Sequence, residues 1–242
     1  MRTKGSDFFG QIEALNQRGG RMLGIVDLIE ANTLDAELAA YLWEKVDAGC
    51  SFLTAARPGG AGKSTVLANM LNFLPAETPI RTVASGRDVP GRPDAGACYL
   101  AHEIGSGPYF SYLWGGEARR FFEIASAGGR VASCLHADTL DELESILTSH
   151  PNALGPSTFA SIGLLVFIHV DTEGGVRRRV STVYEHDGRR HALAYKWDQS
   201  TDTYLRTEAA APPDPERVAA ILSLQERRVR DFRETREQLI GA

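Results

Sequence analysis

The sequence is poor in cysteine. Cys50, Cys98 and Cys134 are the only three in 242 residues, and no two of them stand at the close spacing of a zinc or redox motif. An odd number excludes a fully disulfide-paired framework, so the thiols are expected to be reduced. Cys50 and Cys134 lie in or beside apolar runs and read as small core residues rather than nucleophiles. Long apolar runs are also lacking: none approaches the roughly 18 residues of a membrane-spanning helix. The first twenty residues are basic early on but have no continuous apolar stretch and no small-residue cleavage site, which argues against a secretory signal. A cytoplasmic place is expected, with peripheral association at the inner face of a membrane, through partners, left open. Nor is there an excess of positive charge. Lys and Arg number 26 against 31 Asp and Glu, a formal net charge of -5, so nothing draws the whole molecule to nucleic acid or acidic lipid. The local run Arg177-Arg178-Arg179 is expected to be the solvated edge of a hairpin. Internal repeats and low-complexity tracts are absent from the sequence.

What is present is the composition of an ordinary globular domain, 43% hydrophobic and 24% charged, in a length that supports one core with a small appendage. A tail or short helix is expected over 1–21, ending in Arg18-Gly19-Gly20. Ala36, Leu38, Ala39, Leu42, Trp43 and Val46 recur at helical spacing, with Thr33 or Asp35 as the cap and Gly49 as the stop. An apolar strand over 50–56 leads into a glycine-rich loop. The following helix carries Val66, Leu67, Met70, Leu71 and Leu74 and is closed by Pro75. Further strands are expected at 80–84, 97–101, 130–135 and 163–170, with a helix over 116–126 and another begun by the capping-box pattern Thr139-Leu140-Asp141-Glu142. Such alternation predicts an α/β fold with a mainly parallel sheet between helices. Turn signals at Glu173-Gly174-Gly175, Asp187-Gly188 and 198–202 then predict a C-terminal β meander. A Pro-rich hinge over 211–215 leads to one charged terminal helix, whose stripe Val218, Leu222, Val229, Phe232 and Leu239 is expected to pack on its own domain.

The strongest chemical signal is Gly59-Gly60-Ala61-Gly62-Lys63-Ser64-Thr65, set between an apolar strand and an amphipathic helix. Glycines let backbone N–H groups turn inward around phosphate oxygens, and the first helical turn adds unpaired donors and the positive end of its dipole. Lys63 would reach the β and γ phosphates of ATP, and the Ser64 hydroxyl would help to hold Mg2+. The usual pattern G-x-x-x-x-G-K-[ST] is broken at its first position, where Arg57 stands. The competing reading is a glycine-rich strand-to-helix turn with an exposed lysine.

The residues flanking that loop resemble the type II/type IV secretion and pilus ATPase family. The resemblance is carried by the segment from Leu28-Ile29-Glu30 through Ala40-Tyr41-Leu42-Trp43, and by Glu117-Ala118, Gly128-Gly129 and Val131-Ala132-Ser133-Cys134-Leu135-His136-Ala137-Asp138-Thr139, which is similar to that family's histidine box. Arg177-Arg178-Arg179-Val180-Ser181-Thr182-Val183-Tyr184-Glu185 is similar to its basic β-rich part, and coverage runs over about 22–208. The resemblance implies a RecA-like P-loop NTPase sheet flanked by helices over 22–208, with the hinge and terminal helix over 209–242. It implies assembly as a homo-oligomer, a hexamer, and components of a secretion or pilus machine as partners, without specific nucleic acid. It also implies Glu103 in the place of the Walker B glutamate and His136 near the terminal phosphate, the alternative for His136 being a structural strand-end histidine.

Four departures accompany it. His102 replaces a small glycine before Glu103, Gly105 stands where the family has an arginine, and the stretch between Glu103 and Glu117 is longer. Thr82-Val83-Ala84-Ser85 also lacks the two carboxylates of the acidic box, with Asp88 nearby and Arg81, Arg87 and Arg92 as candidate phosphate contacts. The family's usual N-terminal domain is not expected from the residues before position 22. Three functions follow as expectations: a motor ATPase, a nucleotide-binding regulator that has lost hydrolysis, and a different P-loop enzyme. Loss of carboxylates favours retained binding over retained turnover.

Overall fold

A computed structural model describes residues 7–16, 19–173 and 175–241. Arg18 and Gly174, named above as parts of turn signals, lie outside the described residues. Short helices α1 (Phe8–Glu13) and α2 (Ile25–Glu30) precede α3 (Ala36–Asp47), β1 (Phe52–Ala55) and α4 (Lys63–Asn72). There follow β2 (Ile80–Thr82), β3 (Cys98–Leu100), β4 (Glu103–Ile104), β5 (Tyr112–Leu113), α5 (Gly116–Ser126), β6 (Arg130–Leu135), α6 (Leu140–Thr148) and α7 (Pro156–Ala160). The chain ends in β7 (Leu164–Asp171), β8 (Arg177–His186), β9 (His191–Asp198), β10 (Thr203–Arg206), α8 (Pro215–Glu226) and α9 (Phe232–Ile240).

One sheet runs through the molecule in the order β10-β9-β8-β7-β1-β6-β3-β2, with β4 joining β6 and β5. From β7 to β2 every pairing is parallel, and from β7 to β10 every pairing is antiparallel, so the expected meander extends the parallel sheet. Strands buried on both faces carry apolar side chains in both phases of the pleat, and the core divides accordingly. On one face Phe52, Leu100, Ala132 and Val166 pack against α2, α3, α4 and α8. On the other, Leu53, Tyr99, Val131 and Leu165 pack against α5, α6 and α7. The result is the α/β sandwich with helices on both faces that the alternation predicts.

Local rules account for several boundaries. Asp35, rather than Thr33, caps α3, its carboxylate accepting from Leu38 N at 2.8 Å. Thr139 caps α6 by accepting from Glu142 N at 3.2 Å, but the box is only half closed, because Glu142 reaches back to Asp138 N at 2.9 Å and to Arg57. The terminal segment corrects the expectation of one helix. The chain breaks between α8 and α9, where Arg228 takes a left-handed φ of 54° and Asp231 caps α9 through Arg233 N and Glu234 N. The buried stripe is therefore Ile221, Leu224, Val229 and Phe232, while Leu222 is exposed. Both helices pack on the core that α3 and α4 share.

Candidate functional site

The site is built at the carboxyl ends of β1 and β6, with β4 beside the end of β6, where ligands lie in open α/β sheets. Thr54 near the end of β1 is fully buried. Its hydroxyl donates to Lys63 O at 3.1 Å and lies 3.2 Å from Cys134 Sγ, tying the strand, the start of α4 and β6 together. Burial pushes the Cys134 thiol up to about 11, so it stands as a neutral packing group, in keeping with the reduced, unreactive cysteines expected.

The loop from β1 to α4 turns on glycines. Gly60 and Gly62 have φ of 79° and 96°, a region that side chains disfavour. Gly62 is the N-cap of α4 and supplies no side-chain cap. Asp35, Thr139, Asp214 and Asp231 close the N-termini of α3, α6, α8 and α9 with side-chain acceptors, whereas α4, like α1, α5 and α7, presents its first turn without one. Lys63 stands within that turn and is only 7% exposed. Its ammonium donates to Ala56 O at 3.1 Å and lies 3.3 and 3.4 Å from the two ring nitrogens of His136. Half-buried Ser64 and Thr65 follow it, and Ala61 is buried while Gly59 is exposed.

His136 directly follows β6. Its Nδ1 lies 2.7 Å from Arg57 O, and because a carbonyl only accepts, Nδ1 carries the proton there. Nε2 lies 3.4 Å from Lys63 Nζ and 3.3 Å from Glu103 Oε1, between the ammonium and the carboxylate. Glu103 comes from β4, a separate two-residue strand after β3 rather than the end of β3 itself. Its carboxylate folds back so closely over Gly105 that a Cβ there would lie 3.2 Å from Oε1, so glycine at 105 leaves the room this rotamer uses. Glu103 also faces Tyr112, whose hydroxyl is pushed up to about 12 by burial and then by the adjacent carboxylate. Lys63, His136 and Glu103, nominated separately by the sequence, thus converge at one place.

Two departures noted in the sequence form a single structural feature. The imidazole of His102 is buried beneath Phe110, ring centroids 5.2 Å apart, and its backbone N–H is accepted by Ser111 Oγ at 3.0 Å. Ser111 in turn donates to Val83 O at 2.7 Å. The longer excursion after Glu103 is what covers the larger residue at 102.

Other nominated residues are engaged elsewhere or exposed. Asp88 accepts from Ser85 N at 2.8 Å and from its hydroxyl at 3.0 Å, closing its own turn. Arg81 pairs with Asp94 at 3.6 Å, and Arg87 and Arg92 are exposed. The expectation of a solvated basic edge is corrected as well. Arg177 is exposed and pairs with Asp171, but Arg179 is buried, forking onto both oxygens of Asp202 at 2.7 and 2.8 Å. Arg178 donates from Nε to Gly60 O at 3.1 Å. On the other side of the loop Arg57 N donates to Asp138 Oδ1 at 2.7 Å, and the Arg57 guanidinium pairs with Glu142. Sequence reasoning passed over Asp138, Glu142 and Arg178 because each reaches the loop across more than 80 residues.

Among the described residues no group of three or more His, Cys, Asp or Glu side chains is disposed to hold a metal ion, and no helix is long and apolar enough to cross a membrane.

No family model and no curated protein matches the sequence. Among solved structures the chain is similar to the VirB11 ATPase of the Brucella suis type IV secretion system, solved in complex with sulphate, at 18% identity and a TM-score of 0.45, covering 74% of this chain and 56% of that one. It is also similar to the Legionella pneumophila ATPase DotB, at 14% identity and a TM-score of 0.38, covering 87% of this chain and 56% of that one. The chain spans little more than half the length of either protein, and both likenesses are of fold alone.

Proposed function

We propose that the loop between β1 and α4 binds ATP and that the chain hydrolyses it. One observation carries this reading: a buried lysine at the uncapped, glycine-turned start of α4, with Glu103 and His136 on the neighbouring strand ends. A buried ammonium is stable only beside acceptors or an anion, and a carbonyl and an imidazole are among the partners of Lys63. The residues fit a triphosphate: amides of 60–65 and the start of α4 for the phosphate oxygens, and Lys63 for the charge of the β and γ groups. They also fit Mg2+, which takes few protein ligands and completes its shell with phosphate and water. Ser64 would hold that ion, and it would supply neutralisation of charge on the transferred phosphoryl group.

In this reading Glu103 orients the attacking water and accepts its proton, since its carboxylate already faces the cluster and is held by Tyr112. His136, fixed by its Nδ1–H to Arg57 O, turns Nε2 toward the terminal phosphate and reports its presence. The likeness of sequence motifs to secretion and pilus ATPases extends the proposal to a cytoplasmic motor acting as a homo-oligomer, a hexamer, on components of such a machine.

A second reading, ATP binding without turnover, is favoured by one feature: both carboxylates of the loop after β2 are engaged, Asp88 closing its own turn and Asp94 pairing with Arg81. Phosphate release separates the two. The motor reading expects steady release by the natural protein and a fall of about a hundredfold or more for Glu103→Gln, with ATP binding retained, in the range that loss of a positioned acid–base group costs. Saturable binding with no release by the natural protein selects the regulator instead.

A further inference from the structure

The β7–β8 hairpin and the phosphate loop are distant in sequence and meet at the side chain of Arg178. β7 pairs with β1 only as far as Phe167 opposite Ala55, and its last four residues, 168–171, continue past the end of β1. At about 3.3 Å per residue this carries the hairpin about 13 Å beyond β1, alongside the loop. The pleat sends Arg179 one way, into Asp202, and Arg178 the other way, onto the loop. There Arg178 Nε donates to Gly60 O at 3.1 Å, and its Cδ lies 3.2 Å from where a Cβ on Gly62 would stand. The opposite flank of the loop is held by Arg57, through Asp138 and Glu142.

We propose that Arg178 is a positioning residue for the nucleotide site, bracing the phosphate loop from outside by its Gly60 carbonyl. In a loop that curls around an anion the amide hydrogens face inward and the carbonyls outward, so a donor on Gly60 O approaches from the outer side. Two glycines with positive φ give this segment many alternative shapes, and the absence of the usual first glycine removes the standard turn at its entry. Holding one carbonyl narrows those shapes before the ligand arrives, which lowers the ordering cost of binding. The identity of the ligand rests on the nucleotide reading above, whereas the bracing itself does not.

The test uses the full chain in three forms: natural, Arg178→Ala and Arg178→Lys. Hydrogen exchange without nucleotide is followed over 57–66, and ATP and ADP are titrated by calorimetry. Arg178→Ala is expected to exchange faster in that segment, with the sheet strands unchanged, and to bind ATP and ADP more weakly by the same factor, about three- to tenfold, as for loss of one hydrogen bond. Arg178→Lys, whose ammonium can still donate to Gly60 O, is expected to recover part of both effects. Unchanged exchange over 57–66 in Arg178→Ala overturns the proposal. So does weakened ATP with unaffected ADP, because that places the guanidinium on the terminal phosphate instead. If the natural protein binds neither nucleotide, the ligand reading fails while the exchange comparison still decides the brace.

Discussion

Beside Glu103, His102 is 5% exposed, and neither of its ring nitrogens has a hydrogen-bond partner among the described residues. Burial pushes its pKa below the ordinary value of about 6.5, so the folded protein holds the ring neutral while the unfolded chain accepts a proton. His191 is shifted the same way, with burial the largest cause. Between each folded and unfolded pKa the unfolded state binds more protons, so stability is full above about pH 6.5 and is lost as pH falls. His102→Leu removes one of these two contributions and fills the space with apolar atoms. Urea unfolding of the variant is expected to show a smaller loss of stability from pH 7.5 to pH 5.5 than the natural protein. Equal losses would mean that His102 is solvated or paired. At this scale Lys63 was legible from the glycine-rich pattern before it, and Glu103 and His136 because each closely follows an apolar run that a strand carries to the end of the sheet. The unpartnered state of His102 was not, because it depends on Phe110 and Ser111 folding back over it.

Among the elements, α9 shows how a polar residue can serve the core. Arg236 is 7% exposed, and its guanidinium donates to Asn72 O, Leu74 O and Pro75 O at 2.8, 2.7 and 3.0 Å, satisfying carbonyls at the end of α4. The ring of Phe8 lies 4.0 Å below it. The phosphate-loop helix is therefore gripped at its far end by the last helix of the chain. Arg236→Ala leaves several buried carbonyls unpaired and is expected to lower unfolding stability by about 2–4 kcal/mol, as a shift of the urea midpoint. A change below about 0.5 kcal/mol would contradict the assigned capping role. The helices α3, α4, α5 and α6 could be read from periodicity and caps. The two-residue strands β4 and β5 could not, since so short a segment has no periodicity and takes its form from its neighbour, β6 for β4 and β4 for β5. The break between α8 and α9 was hidden because apolar residues continue at helical spacing across it. Asp231 was the one local sign, a capping residue inside an otherwise helical pattern.

Taken whole, the molecule is one sheet that changes character at β7. Its parallel half gathers the carboxyl ends of β1 and β6 and the start of β4 around Lys63, and its antiparallel half sends a hairpin back to the loop that carries Lys63. The parallel half followed from alternating strands and helices, and the meander from its turn residues. That the two halves are continuous was not visible, because strand neighbours are chosen by long-range pairing between β7, β1 and β8 rather than by local pattern. The architecture makes Lys63 the point on which the functional account turns. Calorimetric titration of ATP with Mg2+ into the natural chain and into Lys63→Ala tests that most directly. The account predicts saturable binding by the natural chain and a loss of at least about tenfold in the variant, the scale expected when a charged hydrogen-bonding partner of an anion is removed. Equal affinity in the two proteins, or no binding by the natural chain, would contradict it.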